Sequence, residues 1–277
     1  MSHEIAQFAL PRAASGGASL SDKISGKASR FLARHARSKT LPIRCDTAVV
    51  TFTFDDVPAS ACSIGAAELE RHGARGTFYI SGGGCGAVSP GGLLATVDEL
   101  RALWGRGHEV GCHTYSHPAV SGVRHDELVA DLERNRCFLD GVSRDIAVRN
   151  FAYPYGDLSW RTKRYLETRF DSCRSLLRGI NAGRGDLGAL KSCPLENATV
   201  GREEVQAVIA EAVARKGWLI FSSHDVADAP SRFGVTPDLL AFAVAASRDA
   251  GCRLATVAQA LQVLGDATSP HAPIGVA

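Results

Sequence analysis

The chain has 277 residues, of which 45% are hydrophobic and 22% charged, and its formal net charge is +2 at pH 7. These values are typical of a globular protein, and so small a net charge argues against nucleic acid as the main partner. No apolar run approaches the ~18 residues that a membrane-spanning helix requires. The eight cysteines form no CxxC pair, and the N-terminus lacks the pattern of a secretory signal. We therefore expect reduced thiols and a cytoplasmic location.

Residues 1–46 are predicted to form a basic N-terminal extension that is helical in part. Four apolar residues recur at helical spacing behind a cap at Ser21, namely Ile24, Ala28, Phe31 and Leu32. A basic amphipathic helix of this kind can make peripheral contact with an anionic membrane. Alternatively, it can dock on the main domain and expose its charges to water. The sequence leaves both interpretations open.

Residues 47–264 are predicted to form one domain in which strands alternate with amphipathic helices. The predicted strands are AVVTFTF, RGTFYIS, HEVGCHT, RNFAYPYG, SCRSLL, GWLIFSSH and CRLATV. Alternation of this length indicates parallel strands joined by helical crossovers. About seven strands without a GxGxxG fingerprint favour an irregular (β/α) barrel over an open α/β sheet. Residues 265–277 are rich in Pro and Gly and are predicted to be a flexible tail.

Polar side chains of catalytic type follow four of these strands. The first strand ends in Asp55-Asp56, the third runs into HTYSH, the fourth into YPYGD, and the sixth ends in SSHD. In a β/α array, catalytic and binding residues lie where the parallel strands end, so we expect these groups to meet at one rim.

The HTYSH segment places His113 and His117 four residues apart, which on a helical turn puts both imidazoles on one face. With a carboxylate from the first strand as third ligand, the set suits zinc or another divalent first-row ion. The two adjacent carboxylates can then have different roles, since one can ligate the metal while its neighbour accepts a proton from water. His224, from a distant strand end, is placed to protonate a leaving group.

The motifs TFTFDD, HTYSHP, FAYPYG and FSSHD, in this order, resemble those of the polysaccharide deacetylases with NodB homology, which form carbohydrate esterase family 4. The resemblance covers roughly residues 47–260. It implies an irregular (β/α) barrel of about seven strands and removal of an acyl group from a sugar with the help of a divalent metal.

The resemblance also implies a role for each matching residue. Asp55 is the expected general base and His224 the expected general acid, while Asp56, His113 and His117 are the expected metal ligands. The Tyr155 backbone N–H is expected to face the oxyanion of the tetrahedral intermediate. Pro154, Trp160 and Asp225 are predicted to contact the substrate.

Two features depart from the family pattern. The family's arginine before the proline of the third motif is absent from NFAYPYG, and we expect Arg178 of SLLRGIN to supply that charge beside the base. The aspartate–tryptophan pair of the fourth motif is also not evident, so Asp171 or Asp225 is expected to orient His224.

The sequence therefore predicts a metal-dependent hydrolase that removes an acetyl group from an N-acetylated (or O-acetylated) sugar, such as a surface-glycan precursor or an oligosaccharide. Zinc is the expected ion, with Co, Ni, Mn or Fe as alternatives. Three other functions stay open: an amidohydrolase acting on a small non-sugar amide, a 2-His-1-carboxylate iron oxygenase, and a non-catalytic carbohydrate-binding protein. The sequence does not predict an oligomeric state.

Overall fold

The computed structural model describes residues 20–89 and 91–266. The first 19 residues of the predicted extension, and the predicted tail from residue 267 onward, lie outside the described residues.

Twelve strands are described in these ranges: β1 Thr40–Ile43, β2 Val49–Asp55, β3 Thr77–Ile80, β4 Val88–Ser89, β5 Gly92–Leu93, β6 Glu109–Cys112, β7 Asn150–Ala152, β8 Ser172–Arg178, β9 Gly183–Asp186, β10 Leu190–Pro194, β11 Trp218–Ser223 and β12 Arg253–Leu254. The α-helices are α1 Leu20–His35, α2 Ala66–Arg71, α3 Val97–Gly105, α4 His125–Val142, α5 Trp160–Arg169, α6 Arg202–Ala214, α7 Pro237–Asp249 and α8 Val257–Asp266.

Seven parallel strands close into a barrel in the order β11-β10-β8-β7-β6-β3-β2. Closure is made by β11 and β2, which pair in parallel from Trp218↔Val49 to Ser223↔Phe54. The predicted fold class, an α/β barrel of about seven parallel strands, is confirmed.

One member of the barrel differs from the predicted set. The segment CRLATV contributes only the two-residue β12, which lies beside Val49 and Val50. The place expected for it is taken by β10, whose sequence LKSCP was not predicted as a strand. Its single aliphatic residue and its terminal proline give β10 little strand character, and pairing with β8 and β11 overrides that weak propensity.

The first barrel strand, β2, is buried along its whole length. Phe52 and Phe54 pack into the main hydrophobic core with helix residues such as Leu69. Asp55 instead contacts Arg174 of β8. Because β8 is not a neighbour of β2 in the sheet, this contact crosses the barrel interior. Alternate residues of β2 therefore face the core and the interior.

The N-terminal elements pack on the barrel. Helix α1 contacts α5, and β1 pairs in an antiparallel manner with β9. Among the helices described, none combines the length and apolarity needed to cross a bilayer.

Candidate active site

The two adjacent aspartates at the end of β2 point to different environments. Asp55 is 3% exposed, whereas the side chain of Asp56 keeps 32% of its surface. Asp56 and Val57 adopt left-handed backbone conformations, with φ of 58° and 54°. This conformation is costly for a β-branched residue such as Val57. The turn separates the two carboxylates and directs Asp56 toward the rim.

Left-handed backbone is concentrated around this rim. Among the described residues, six non-glycine positions have positive φ, and five of them belong to the strand-end motifs: Asp56, Val57, Thr114, His117 and Tyr155. Backbone of this kind persists only where the surrounding structure holds it, and it clusters at functional sites.

The HTYSH segment is an irregular loop, so the predicted helical turn is wrong. Thr114 and His117 have positive φ, 64° and 52°. The loop is held by Asp131 of α4, whose buried carboxylate accepts hydrogen bonds from the Tyr115 and Ser116 backbone N–H groups at 2.7 and 3.1 Å. Sequence reasoning missed Asp131, because an aspartate on an amphipathic helix carries no motif.

The loop nevertheless brings the two imidazoles together with Asp56. Nε2 of His117 lies 3.2 Å from Nε2 of His113 and 3.2 Å from Oδ1 of Asp56, and Nε2 of His113 lies 3.7 Å from the same oxygen. Ligand atoms about 2.1 Å from a tetrahedral zinc ion stand roughly 3.4 Å apart. The three groups therefore fit one divalent ion, as the sequence predicted.

The protonation of the histidines also suits a metal. Nδ1 of His113 donates to the Ala152 carbonyl at 2.9 Å, which leaves Nε2 as the lone-pair nitrogen facing Asp56. Burial lowers the pKa of both His113 and His117 to about 4. Both imidazoles are thus neutral at pH 7 and able to ligate.

Asp55 forms a buried ion pair with Arg174, whose Nη2 donates to both carboxylate oxygens. Burial raises the pKa of Asp55, but Arg174, with His113 and His224, outweighs this effect and holds the pKa below its ordinary value. Asp55 is therefore ionised at neutral pH, as a base must be.

The prediction of Arg178 as the partner of the base is wrong. Arg178 lies at the exposed end of β8, four residues beyond Arg174. Arg174 is fully buried and forms an ion pair with Asp55, whereas Arg178 is exposed. The sequence did hold a signal for Arg174, namely an arginine in the middle of a predicted buried strand.

His224 follows β11 and faces the same rim. Its Nε2 lies 4.0 Å from Oδ2 of Asp56, and its ring packs on Phe233 with centroids 5.3 Å apart. Its Nδ1 is buried and has no hydrogen-bond partner among the described residues. His224 therefore stands beside the candidate metal ligands with Nε2 directed toward them.

Neither aspartate predicted to orient His224 does so. Asp171 pairs with Arg149 at 2.5 Å, where β8 begins and hence at the opposite end of the barrel. Asp225 accepts from the backbone N–H and hydroxyl of Ser231 and thereby holds the loop that carries Phe233. The predicted substrate contact of Asp225 is not tested by this geometry.

Besides Asp55 and Asp56, the charge of Glu196, just after β10, interacts with His224. Burial raises the pKa of Glu196, and His224 is the largest of the charges that oppose this rise, followed by Arg232. Sequence reasoning missed Glu196 because it missed β10, the strand that brings this residue to the rim.

The third motif forms a tight turn beside the histidines. Pro154 is buried, and the half-exposed ring of Tyr155 stacks edge-on against His117 with centroids 4.5 Å apart. Trp160 begins α5, where its backbone N–H donates to Ser29 of α1 at 3.0 Å. Its ring lines a groove with α1. The predicted oxyanion contact of Tyr155 and the substrate contacts of Pro154 and Trp160 stay predictions.

Comparison with known proteins relates part of the chain to a known family. The family model "Polysaccharide deacetylase" matches residues 44–169, which include the paired aspartates, both loop histidines and the third motif. The matched segment, just under half of the chain, is similar to the polysaccharide deacetylase family. Arg174, Glu196 and His224 lie beyond the matched segment, and the closed barrel brings Arg174 and His224 to the same rim.

The individual curated proteins that match the chain are distant. A chitin deacetylase of Arthroderma benhamiae is 26% identical over 85 residues, 31% of this chain and 22% of that protein. Chitin deacetylase 1 of Cryptococcus neoformans var. grubii is 25% identical over 118 residues, 43% of this chain and 23% of that protein. The chain thus matches less than a quarter of the length of either curated relative.

Solved structures share the fold of this chain. The chitin deacetylase of Colletotrichum lindemuthianum has a TM-score of 0.58 at 17% identity, covering 79% of this chain and 89% of that one. A family 4 carbohydrate esterase from Bacillus anthracis also has a TM-score of 0.58, at 14% identity, covering 90% of this chain and 95% of that one.

Proposed function

We propose that the chain is a metal-dependent deacetylase that removes an acetyl group from an N-acetylated or O-acetylated sugar. The observation that carries this proposal is the division between the adjacent aspartates. Asp56 joins two neutral imidazoles at metal-ligand spacing, while Asp55 is held ionised by Arg174. A hydrolase that activates water needs both a Lewis acid and a base beside it.

Asp56, His113 and His117 would hold the divalent ion, with zinc as the expected metal. Bound there, such an ion supplies polarisation of the acyl carbonyl and a lowered pKa for a neighbouring water. The Asp55 carboxylate would take the proton of the attacking water. The Tyr155 backbone N–H would donate to the oxyanion, and His224 would give a proton to the departing amine or hydroxyl.

Two half-exposed aromatic rings flank the candidate ligands and support a sugar substrate. Tyr155 stacks on His117 on one side, and Phe233 stacks on His224 on the other. Their exposed fractions are 58% and 41%. Rings held rigidly beside a polar site present apolar faces on which a pyranose can stack. We infer that the substrate is a nucleotide- or lipid-linked glycan precursor met in the cytoplasm.

The Asp55–Arg174 pair weighs against an iron oxygenase. A 2-His-1-carboxylate site needs one carboxylate ligand and no second, ionised carboxylate beside it. Asp55 is ion-paired next to the ligand set, which is the arrangement that general base catalysis requires.

The decisive experiment combines acetate release with metal content. Wild-type protein is assayed on a panel of N-acetylated sugars, sugar nucleotides and chito-oligomers beside Asp55→Asn and Asp56→Asn. We expect Asp55→Asn to keep its metal and to lose about 10²–10⁴-fold in rate. We expect Asp56→Asn to lose both metal and activity.

Asp145→Asn serves as the matched control, because it removes the same charge from an exposed residue. Acetate release by Asp55→Asn at the wild-type rate would contradict the assignment of the base. Wild-type protein that binds no divalent ion would contradict the proposed function as a whole.

A further inference from the structure

Helix α1 exposes large apolar side chains on its outer face. Phe31 is 65% exposed and Leu32 43% exposed, although Ala33 of the same helix is fully buried. Phe31 and Leu32, together with Ala28 and Trp160, line a shallow groove of about 630 Å³. We call this surface the α1 face. Contiguous exposed apolar groups of this kind mark interaction sites.

The α1 face is held in place by buried polar contacts. Ser29 accepts a hydrogen bond from the Trp160 backbone N–H at 3.0 Å. The fully buried Lys163 donates through Nζ to the Ala33 and Ala36 carbonyls at 3.0 and 2.6 Å. These contacts fix the rotation of α1 about its axis, so Phe31 is directed outward by the packing of the opposite side.

A band of positive charge borders the apolar groups. Residues 25–37 contain no acidic residue and four cations, namely Lys27, Arg30, Arg34 and Arg37. Successive residues of a helix are about 100° apart around its axis. Viewed along α1, Lys27, Arg30 and Arg34 therefore lie within about 60° of one another, and Phe31 lies about 40° beyond Lys27. Within the part of the chain that the structure describes, none of the four cations has an ion-pair partner.

This combination fits the interface of an anionic bilayer. Aromatic and aliphatic groups enter the boundary between headgroups and acyl chains, while neighbouring Lys and Arg side chains reach the phosphates. Attraction to anionic lipid amounts to about one order of magnitude in affinity for every one to two basic residues near the surface. Four unpaired cations beside an apolar groove therefore match the chemistry of such a membrane.

The α1 face lies at the catalytic end of the barrel. Helix α5 begins four residues after Gly156, the last residue of the third-motif turn that contacts His117. Trp160, its first residue, is the point at which α1 meets α5. A surface bound by α1 therefore lies at the same end of the barrel as the candidate metal ligands.

We propose that the α1 face binds the surface of an anionic bilayer, with Phe31, Leu32 and Trp160 at the interface and the basic band on the lipid phosphates. This contact places the rim of the barrel next to the membrane. The inference rests on α1 and Trp160 alone and holds whatever reaction the site performs.

Co-sedimentation of the full chain with lipid vesicles tests this proposal. Vesicles of phosphatidylcholine with phosphatidylglycerol are compared with vesicles of phosphatidylcholine alone. We expect binding to the anionic vesicles only, weakened by added salt. The pair Phe31→Ser and Leu32→Ser, and separately the pair Arg30→Glu and Arg34→Glu, should each weaken binding about tenfold or more.

Two controls match these variants. Val213→Ser removes an apolar side chain of similar exposure from α6, and Arg169→Glu reverses an exposed charge on α5. Circular dichroism checks that every variant is folded, and acetate release is measured separately. Equal binding to both vesicle types, or binding that survives both α1 pairs, would overturn the proposal. Absence of binding by folded wild-type protein would also overturn it and would leave a protein partner as the occupant.

Discussion

The ion pair between Asp55 and Arg174 shows how one residue changes the chemistry of another. Two aspartates that are adjacent in sequence would repel each other in water. The Arg174 guanidinium keeps the buried Asp55 ionised at neutral pH, while Asp56, at the rim, faces two neutral imidazoles. Nε and Nη1 of Arg174 are buried and have no hydrogen-bond partner among the described residues, so the pair is tolerated at a cost in desolvation.

Arg174→Met is expected to destabilise the fold and to raise the pKa of Asp55. Removing one partner of a buried ion pair leaves an uncompensated charge, which costs about 3–5 kcal/mol. Without the guanidinium, the pKa of Asp55 should rise, and the acidic limb of the pH–rate profile should move to higher pH. Chemical denaturation and a pH profile of kcat measure the two effects.

Arg178→Met is the matched control, because it removes the same group from the exposed end of the same strand. It should change both quantities little. A larger loss of activity in Arg178→Met than in Arg174→Met would restore the assignment made from sequence.

At the scale of elements, α5 links the N-terminal segment to the barrel. The fully buried Lys163 donates to two carbonyls near the C-terminal end of α1 and pairs with Asp186 of β9 at 2.5 Å. A cation at this end of a helix also opposes the negative end of its dipole. One side chain thus joins α1, α5 and β9.

Lys163→Met is expected to lower the free energy of unfolding by about 3–5 kcal/mol, since Asp186 and two carbonyls lose their buried partner. The effect should be largest near α1, and limited proteolysis should cut earliest in residues 20–36. Arg169→Met, at the exposed end of the same helix, should behave like wild type. An unchanged melting temperature for Lys163→Met would show that α1 is held by apolar packing alone.

At the scale of the whole molecule, the closed barrel forces charged and titratable groups into its interior. Burial lowers the pKa of His113 and His117 to about 4, against about 6.5 in an unfolded chain. Between these values the unfolded chain binds more protons than the folded one. The stability of the metal-free protein should therefore fall as the pH decreases from 6.5 to 4.

The expected loss is up to about 3 kcal/mol for each histidine. Below pH 4 the depressed pKa of Asp55 adds a further loss in the same direction, because its stabilising charge disappears as the pH falls through the folded-state pKa. Urea denaturation of chelator-treated protein at several pH values measures this slope. His117→Gln should reduce it, whereas His125→Gln, at an exposed position, should not. A slope that His117→Gln leaves unchanged would contradict the assignment.

The barrel of parallel strands and the candidate ligand set could be predicted from the sequence alone. Both follow from local patterns, since strand and helix periods alternate along the chain. Asp56 and His113 directly follow strands, and His117 lies four residues after His113. Parallel strands must end at one rim, so these groups had to meet there.

The residues that support the site could be found only from the folded structure. Arg174 is 119 residues from Asp55, and only strand register and barrel closure select it over Arg178. Glu196 comes to the rim on β10, a strand with little propensity of its own, and Asp131 meets the HTYSH loop from a helix. These residues become partners because the packed interior brings them close together, and no local sequence pattern encodes that proximity.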